Sequence, residues 1–380
     1  MTIRPPAVSW LARNPAPARY ELLDGIRGVA CLVVVLHHMG VVTVGHMAVM
    51  VFFVISGYCI TASTDAGLRA GMGFGEMMAR RVRRIYPPYL LAVAFFVVTR
   101  LIKTVIDPQF VWQPTWQQWL QNLTLTQWLS LPVGNYVEAS QNSDLFVASF
   151  WSLNYEEQFY LIMAGAMWLA SRYDIGLKRV VLALAVVGLT WNIIIPGGWV
   201  SGLFIEYWVH FSLGGLLYFV LTSRHQHQAW RGFMLILTGL GLVIGLSGLP
   251  WQGDDLWGSH RALLELVVVV VVTLVLALLR PASEIISRNI LWRPFAAVGA
   301  ISYSLYLVHQ FNLHLVESVV GYLLPLAAPR VLVVTAMVLL HITIGASFWW
   351  FCERPFLRRT RSTRNADHAR LGGWLPKQVG

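Results

Sequence analysis

The chain has 380 residues, 57% of them hydrophobic and only 12% charged, with a mean hydropathy of +0.60. That balance excludes an ordinary soluble domain and points to an all-α, polytopic transmembrane helical bundle. The net charge of +10 would call for nucleic acid only on a soluble basic face interleaved with exposed aromatics; none is visible, so no nucleic-acid partner is expected.

Apolar runs recur at roughly 22–43, 46–66, 85–106, 149–170, 178–196, 203–222, 231–249, 261–280, 295–316 and 330–351, most near the ~20 residues a spanning helix needs. They predict about ten spans, of which the seventh is short and glycine-rich. With the N-terminus inside, all but five of the 28 basic residues fall on inner segments. The exceptions are Arg27 in the first span and Arg100, Lys103, Arg261 and Arg330 on the outer side. The positive-inside rule therefore puts both termini in the cytoplasm, in a bacterial inner or plasma membrane. No internal repeat of the transporter kind is present. Cys31, Cys59 and Cys352 have neither pairing nor metal-ligand spacing, so they are read as packing residues and no metal is expected.

Residues 1–20 lack an apolar core, which predicts a cytoplasmic N-terminal segment and an uncleaved first span. That span, LLDGIRGVACLVVVLHHMGVV, carries Asp24, Arg27, His37 and His38. At about 100° and 1.5 Å per residue, the eleven steps from Arg27 to His38 make three turns plus about 20°, so both project from one face about 16 Å apart. Asp24, Arg27, Cys31, Val34 and His38 form one stripe. An ionised group at the bilayer centre costs about 2.5–3.5 kcal/mol, so the stripe faces other helices or a polar cavity. A packing network with a snorkelling Arg27 would look the same on this span alone.

In the second span, Ser56 and Gly57 interrupt VMVFFVISGY, as close helix packing would ask. Next comes MMARRVRRIYPPYLL, where Pro87-Pro88 fix the start of the third span. Arg80, Arg81, Arg83 and Arg84 exceed what orientation needs. They suit either anionic headgroups or a phosphate clamp, for which arginine's planar fork is the better tool. Trp112, Trp116, Trp119, Leu120 and Leu123 recur at helical spacing and predict a helix lying in the interface plane. The loop GNYVEASQNSD, with Glu138 and Asp144, follows.

The fourth span opens FWSLNYEEQFYLI. Ser152, Glu156 and Tyr160 share a face while Glu157 points elsewhere, which makes Glu156 a candidate acid, base or orienting group. Glu206, His210 and Glu265, in the sixth and eighth spans, are read as structural or cavity-lining. In the ninth span, VGAISYSLYLVHQFNLHL, Ser302, Tyr306 and His309 align. The tenth ends WWFCERPFLRR; Pro355 stops it, Glu353 is placed to pair with an inner arginine, and 354–380 is a basic cytoplasmic tail.

Arg27 with His38 after ten residues, FFVISGY, RRVRRIYP, WSLNYEEQFYL, GAISYSLYLVH and CERP together resemble the acyltransferase 3 family of integral membrane O-acyltransferases, over about residues 20–356. The resemblance implies a membrane acyltransferase domain at 21–353. It implies transfer of an acyl group, usually acetyl, from cytoplasmic acyl-coenzyme A to a hydroxyl, most often on a cell-surface carbohydrate. The family's arginine and histidine match Arg27 and His38, and the glutamate of its WSL element matches Glu156. Its arginine pair falls on Arg81 and Arg84, with Arg80 and Arg83 as the competing register. Larger members add a span and a fused hydrolase-like domain; this chain looks like the stand-alone form.

Acyl transfer to an alcohol needs a base, a donor of positive character and a grip on each substrate. His38 is the expected base, or the residue acylated between two half-reactions. Arg81 and Arg84, helped by Arg80 and Arg83, would hold the phosphates of acetyl-coenzyme A or another acyl-coenzyme A, its arm passing Arg27. Asp24 would orient Arg27, Glu156 would orient His38 or the acceptor hydroxyl, and Ser302, Tyr306 and His309 would line the cavity. The acceptor is a carbohydrate or lipid-linked glycan, with membrane lipids around the bundle. The alternatives are O-acylation of a small lipophilic metabolite such as a macrolide, and a non-enzymatic transporter or flippase. Oligomeric state is not specified.

Overall fold

A computed structural model describes residues 20–127, 145–194, 203–222, 228, 230–237, 239, 256–325 and 327–357. Among these, every regular element is helical. The loop with Glu138 and Asp144, much of the seventh predicted span and all but the start of the basic tail lie outside the described residues.

The bundle is built around α2 (Gly45–Arg69), which is buried on most of its circumference. It packs against α1 (Leu22–His38), α5 (Trp151–Tyr173), α7 (Trp208–Thr222) and α8 (Leu256–Leu279). Glycines make one of these crossings possible, and another between α1 and a later helix. A Cβ on Gly57 would run into the Phe211 carbonyl, and one on Gly214 into the Val54 carbonyl, so α2 and α7 meet backbone to backbone. Gly28 and Gly299 do the same for α1 and α10 (Arg293–Ala300), against the carbonyls of Phe295 and Asp24. The second crossing fixes the height and rotation of the stripe bearing Arg27.

Helix α3 (Phe74–Ile106) runs unbroken for 33 residues, with Pro87 and Pro88 inside it rather than at its start. Pro87 and Pro88 remove the N–H groups that would bond the carbonyls of Arg83 and Arg84; the next carbonyl along, that of Ile85, accepts the Tyr303 hydroxyl at 2.9 Å. Helix α4 (Trp116–Thr124) opens on a capping box between Thr115 and Gln118. It is shorter than the tryptophan spacing suggested: Trp116 is exposed, while Trp112, ahead of the helix, and Trp119 turn in against Phe146. Burial of aromatic area draws these two off the interface stripe.

Helix α6 (Leu177–Ile194) follows α5, and α9 (Ser283–Arg288) follows α8. The predicted ninth span is broken into α10, α11 (Ser302–Val308) and α12 (Leu313–Leu323), with turns at Ile301 and 309–312, and α13 (Arg330–Phe348) ends in a π turn at Trp349–Glu353. Three helices, Gly45–Arg69, Phe74–Ile106 and Arg330–Leu357, are long and apolar enough to cross a membrane. Other expected spans fall short of that measure for local reasons: α1 has 17 residues, α5 carries Glu156, Glu157 and Arg172, and the ninth is interrupted.

Candidate active site

Where α1, α2, α3, α5 and α11 converge they leave a cavity of about 250 Å³. Arg27 enters from α1, Ser56 from α2, Arg81 and Arg84 from α3, Ser152, Glu156 and Tyr160 from α5, and Ser302 and Tyr306 from α11. The three-residue step from Arg81 to Arg84 keeps both on the cavity side of α3. Neither residue of the alternative register lines the cavity, and Arg80 pairs with Glu76 at 2.6 Å on the surface.

Glu156 accepts hydrogen bonds from Tyr160 at 2.8 Å and Ser56 at 3.3 Å. It faces the arginines, not His38, because the Ser152–Glu156–Tyr160 face of α5 is turned toward α2 and α3. The Arg81 guanidinium lies 5.0 Å over the Tyr160 ring and hydrogen-bonds Ser63. Buried Glu353 accepts from Ser304 at 2.5 Å within electrostatic reach of Arg84 and Arg27. Three arginines against two carboxylates leave the cavity positive. Glu157 points elsewhere and accepts from Tyr86. Ser56 and Gly57 divide two tasks between them, one facing the cavity and the other letting α7 approach. Cys31 packs its sulfur on the Ser302 carbonyl at 3.6 Å. Asp24 lies one turn before Arg27 and is not part of the cavity wall.

Phe52, Ser152 and Tyr306 are part of the cavity wall. Ser152 donates to the Tyr306 hydroxyl, which donates in turn to the Ser149 carbonyl, both at 2.7 Å. His38 is not in its wall. Beyond Tyr306 the His309 ring packs 5.5 Å from Tyr306 and 5.0 Å from His38. α11 ends at Val308, but His309 keeps helical backbone angles (φ −60°, ψ −41°) and its N–H bonds the Leu305 carbonyl at 3.0 Å, so it continues the face that carries Tyr306. A carbonyl only accepts, so the 2.7 Å contact of His309 Nδ1 with the Tyr306 carbonyl puts the proton on Nδ1 and leaves Nε2 as the lone-pair nitrogen. That nitrogen has no hydrogen-bond partner among the described residues.

Sequence reasoning passed over His341. It is buried, neither ring nitrogen has a hydrogen-bond partner among the described residues, and it lies within electrostatic range of His309. An imidazole inside the apolar run MVLLHITIG was the available signal. A separate polar cluster joins His46 to Glu265 at 2.6 Å, with His46 stacked 5.1 Å from Trp151; nearby Tyr155 donates to Glu206 at 2.5 Å. None of Glu206, His210 and Glu265 borders the arginine cavity. Among the described residues no group of three or more His, Cys, Asp or Glu side chains is arranged to hold a metal ion.

Residues 20–350 match the family described as an acyltransferase domain. The chain is 29% identical over 344 residues to the exopolysaccharide production protein ExoZ of Rhizobium meliloti, a match covering 86% of this chain and 93% of that protein. It is 26% identical over 337 residues to the O-acetyltransferase OatA of Staphylococcus aureus, covering 79% of this chain and 51% of OatA. The match thus spans about half of OatA's length. No solved structure matches the chain.

Proposed function

The chain belongs to the acyltransferase 3 family and is an O-acyltransferase, and from that premise we propose that it moves an acyl group, acetyl as in OatA's name, from cytoplasmic acyl-coenzyme A to a hydroxyl of a cell-surface or lipid-linked carbohydrate. The carrying observation is the arginine cavity: Arg27, Arg81 and Arg84, drawn from two helices, meet in one space that keeps a positive balance. That is what the phosphates of a coenzyme need, and arginine's fork binds them bidentately.

The distribution of basic residues supports about ten spans with both termini in the cytoplasm of a bacterial inner membrane. In that orientation Arg81 and Arg84 face the cytoplasm and His38 lies toward the outer side. The coenzyme's phosphates sit against Arg81 and Arg84, and its slender arm passes Arg27 toward Tyr306. His38 takes the proton of the acceptor hydroxyl as the oxygen attacks the thioester carbonyl. The C–S bond breaks, and the leaving thiolate recovers that proton from the imidazolium. His309, held by its Nδ1 proton on the Tyr306 carbonyl, packs against His38 and positions its ring. Glu156 sets the charge balance of the arginine group rather than orienting His38.

The test is transfer of radiolabelled acetate from acetyl-coenzyme A by the detergent-purified protein in the presence of membrane glycans, beside His38→Ala and Arg84→Ala. Label should appear on glycan with the wild type, vanish with His38→Ala and fall with Arg84→Ala. Failure to bind coenzyme A with any acyl chain would sink this reading and favour a transporter.

A further inference from the structure

A second cavity, of about 480 Å³, opens at the end of α3 far from the arginine cluster, within the roughly 300–1,000 Å³ of small-ligand sites. Arg100 is in its wall. Orientation does not account for this residue: the positive-inside rule gathers arginines at the other face, and Arg100 with Lys103 runs against it. Its guanidinium lies 4.6 Å over the Phe96 ring and 5.7 Å from that of Phe110, and no carboxylate among the described residues pairs with it. A half-buried arginine held on aromatic faces keeps its N–H fork for an incoming anion.

The other walls have a consistent chemistry. Trp112, Phe146 and Phe311 are half-buried, with Trp112 and Phe146 rings 5.5 Å apart. Gln113 is exposed beside them. The Gln310 side-chain oxygen accepts the Ser149 N–H at 2.6 Å, and its NH₂ group has no partner among the described residues. Aromatic faces pack on the C–H faces of sugar rings, and amides bond to their hydroxyls. An apolar metabolite would use neither the amides nor the guanidinium, and a lipid headgroup phosphate would use the guanidinium but leave the aromatic faces idle.

The position also fits. Ser149 sits in a 3₁₀ turn, Ala148–Phe150. Its N–H goes to Gln310 in the aromatic cavity, and its carbonyl receives the hydroxyl of Tyr306 in the arginine cavity. One turn of backbone is thus shared between the two spaces, and Gln310 is the chain neighbour of His309, whose ring packs on His38.

Resting on the O-acyl-transfer reading, we propose that the aromatic cavity is the acceptor subsite and that it takes a carboxylated glycan. Sugar rings stack on Trp112 and Phe146, hydroxyls meet Gln113 and Gln310, and Arg100 grips a carboxylate.

The experiment compares two probes that differ only in their carboxylates, cellotetraose and its C6-oxidised form tetraglucuronate. Binding to the full-length purified protein is followed by quenching of tryptophan fluorescence. Tetraglucuronate should bind at least about tenfold more tightly than cellotetraose, and Arg100→Gln should remove that preference, a loss of one charge-assisted contact. Trp112→Ala should weaken both probes. A second arm uses Gln113→Cys in cells expressing the protein: a bulky maleimide on that cysteine should cut acetate incorporation into surface glycan at least about tenfold. Equal binding of the two probes, absence of binding, or unimpaired incorporation after labelling would overturn the proposal. Coenzyme A binding on the same preparations judges the donor reading separately, so failure of one is not mistaken for failure of the other.

Discussion

The two cavities flank the same layer of Tyr306, Ser149 and Ser152, yet they are made from different materials. The arginine cavity is cut between long helices and lined by side chains at helical intervals, with three guanidinium groups and a hydrogen-bonded carboxylate. The aromatic cavity is assembled from a helix end, the stretch before α4, the turn ahead of α5 and the turn after α11, and holds one guanidinium among aromatic rings and amides. The contrast matches the substrates proposed for them. A coenzyme presents the same phosphates every time, which rewards a rigid cluster of charge on helices. A glycan varies from one organism to the next, and loops and turns can be recast without disturbing the bundle.

The largest effect that would sharpen this contrast comes from between the cavities. His38→Ala should lower acetyl transfer by about 10²–10⁴-fold, the range of a positioned base, with coenzyme A binding retained; a loss of less than about tenfold would remove His38 from the chemistry. Next in size, Arg81→Ala or Arg84→Ala should weaken coenzyme A binding by about ten- to a hundredfold each, as expected for a charge-assisted contact worth about 1.5–3 kcal/mol. Lysine at either position should restore the affinity only in part. Arg80→Ala and Arg83→Ala should weaken it by no more than about threefold, because Arg80 is engaged with Glu76 on the surface and neither side chain lines the cavity. Calorimetric titration of the four variants settles which register carries the donor; equal losses across all four would break the assignment of the cavity.

That ranking also shows how far residues alone could be read. The stripe from Arg27 to His38 and the spacing of Arg81 and Arg84 follow from helical geometry, because each lies within one regular element. Glu156 was legible as an interior carboxylate, but not its direction: which face of α5 meets α2 is decided by packing across elements, including the glycine contacts of Gly57 and Gly214. The face that carries His309 follows from helical spacing, because the backbone stays helical through that residue; its ring contact with His38 on another helix does not. The aromatic cavity was least legible. Its tryptophans were assigned to an interface helix, and Gln310 drew no notice, since a glutamine in an apolar span acquires a meaning only from Ser149, 161 residues away in sequence.

A smaller effect probes the shared layer. Tyr306→Phe removes the hydroxyl that accepts from Ser152 and donates to the Ser149 carbonyl, leaving a buried acceptor and a buried donor to find new partners. The expected loss is about 1–3 kcal/mol of local stability, read as a lower melting temperature in detergent. Transfer should fall several-fold with coenzyme A affinity little changed, because the phosphate end of the arginine cavity is untouched.

The smallest effect separates wall from site. Gln310 has two jobs in this structure: its oxygen closes the buried N–H of Ser149, and its NH₂ faces the aromatic cavity. Gln310→Ala abolishes both, so a drop in melting temperature and in glycan affinity would not tell them apart. Gln310→Glu keeps an acceptor for Ser149 while replacing the donor with a negative charge. If the residue only braces the turn, glutamate restores stability and leaves tetraglucuronate binding as in the wild type. If the cavity holds a carboxylated glycan, glutamate restores stability yet weakens tetraglucuronate several-fold through like-charge repulsion, while cellotetraose, which carries no charge, binds nearly as before. The difference between those two probes in one variant shows whether the turn at Ser149 merely divides the two cavities or presents the acceptor to the histidines.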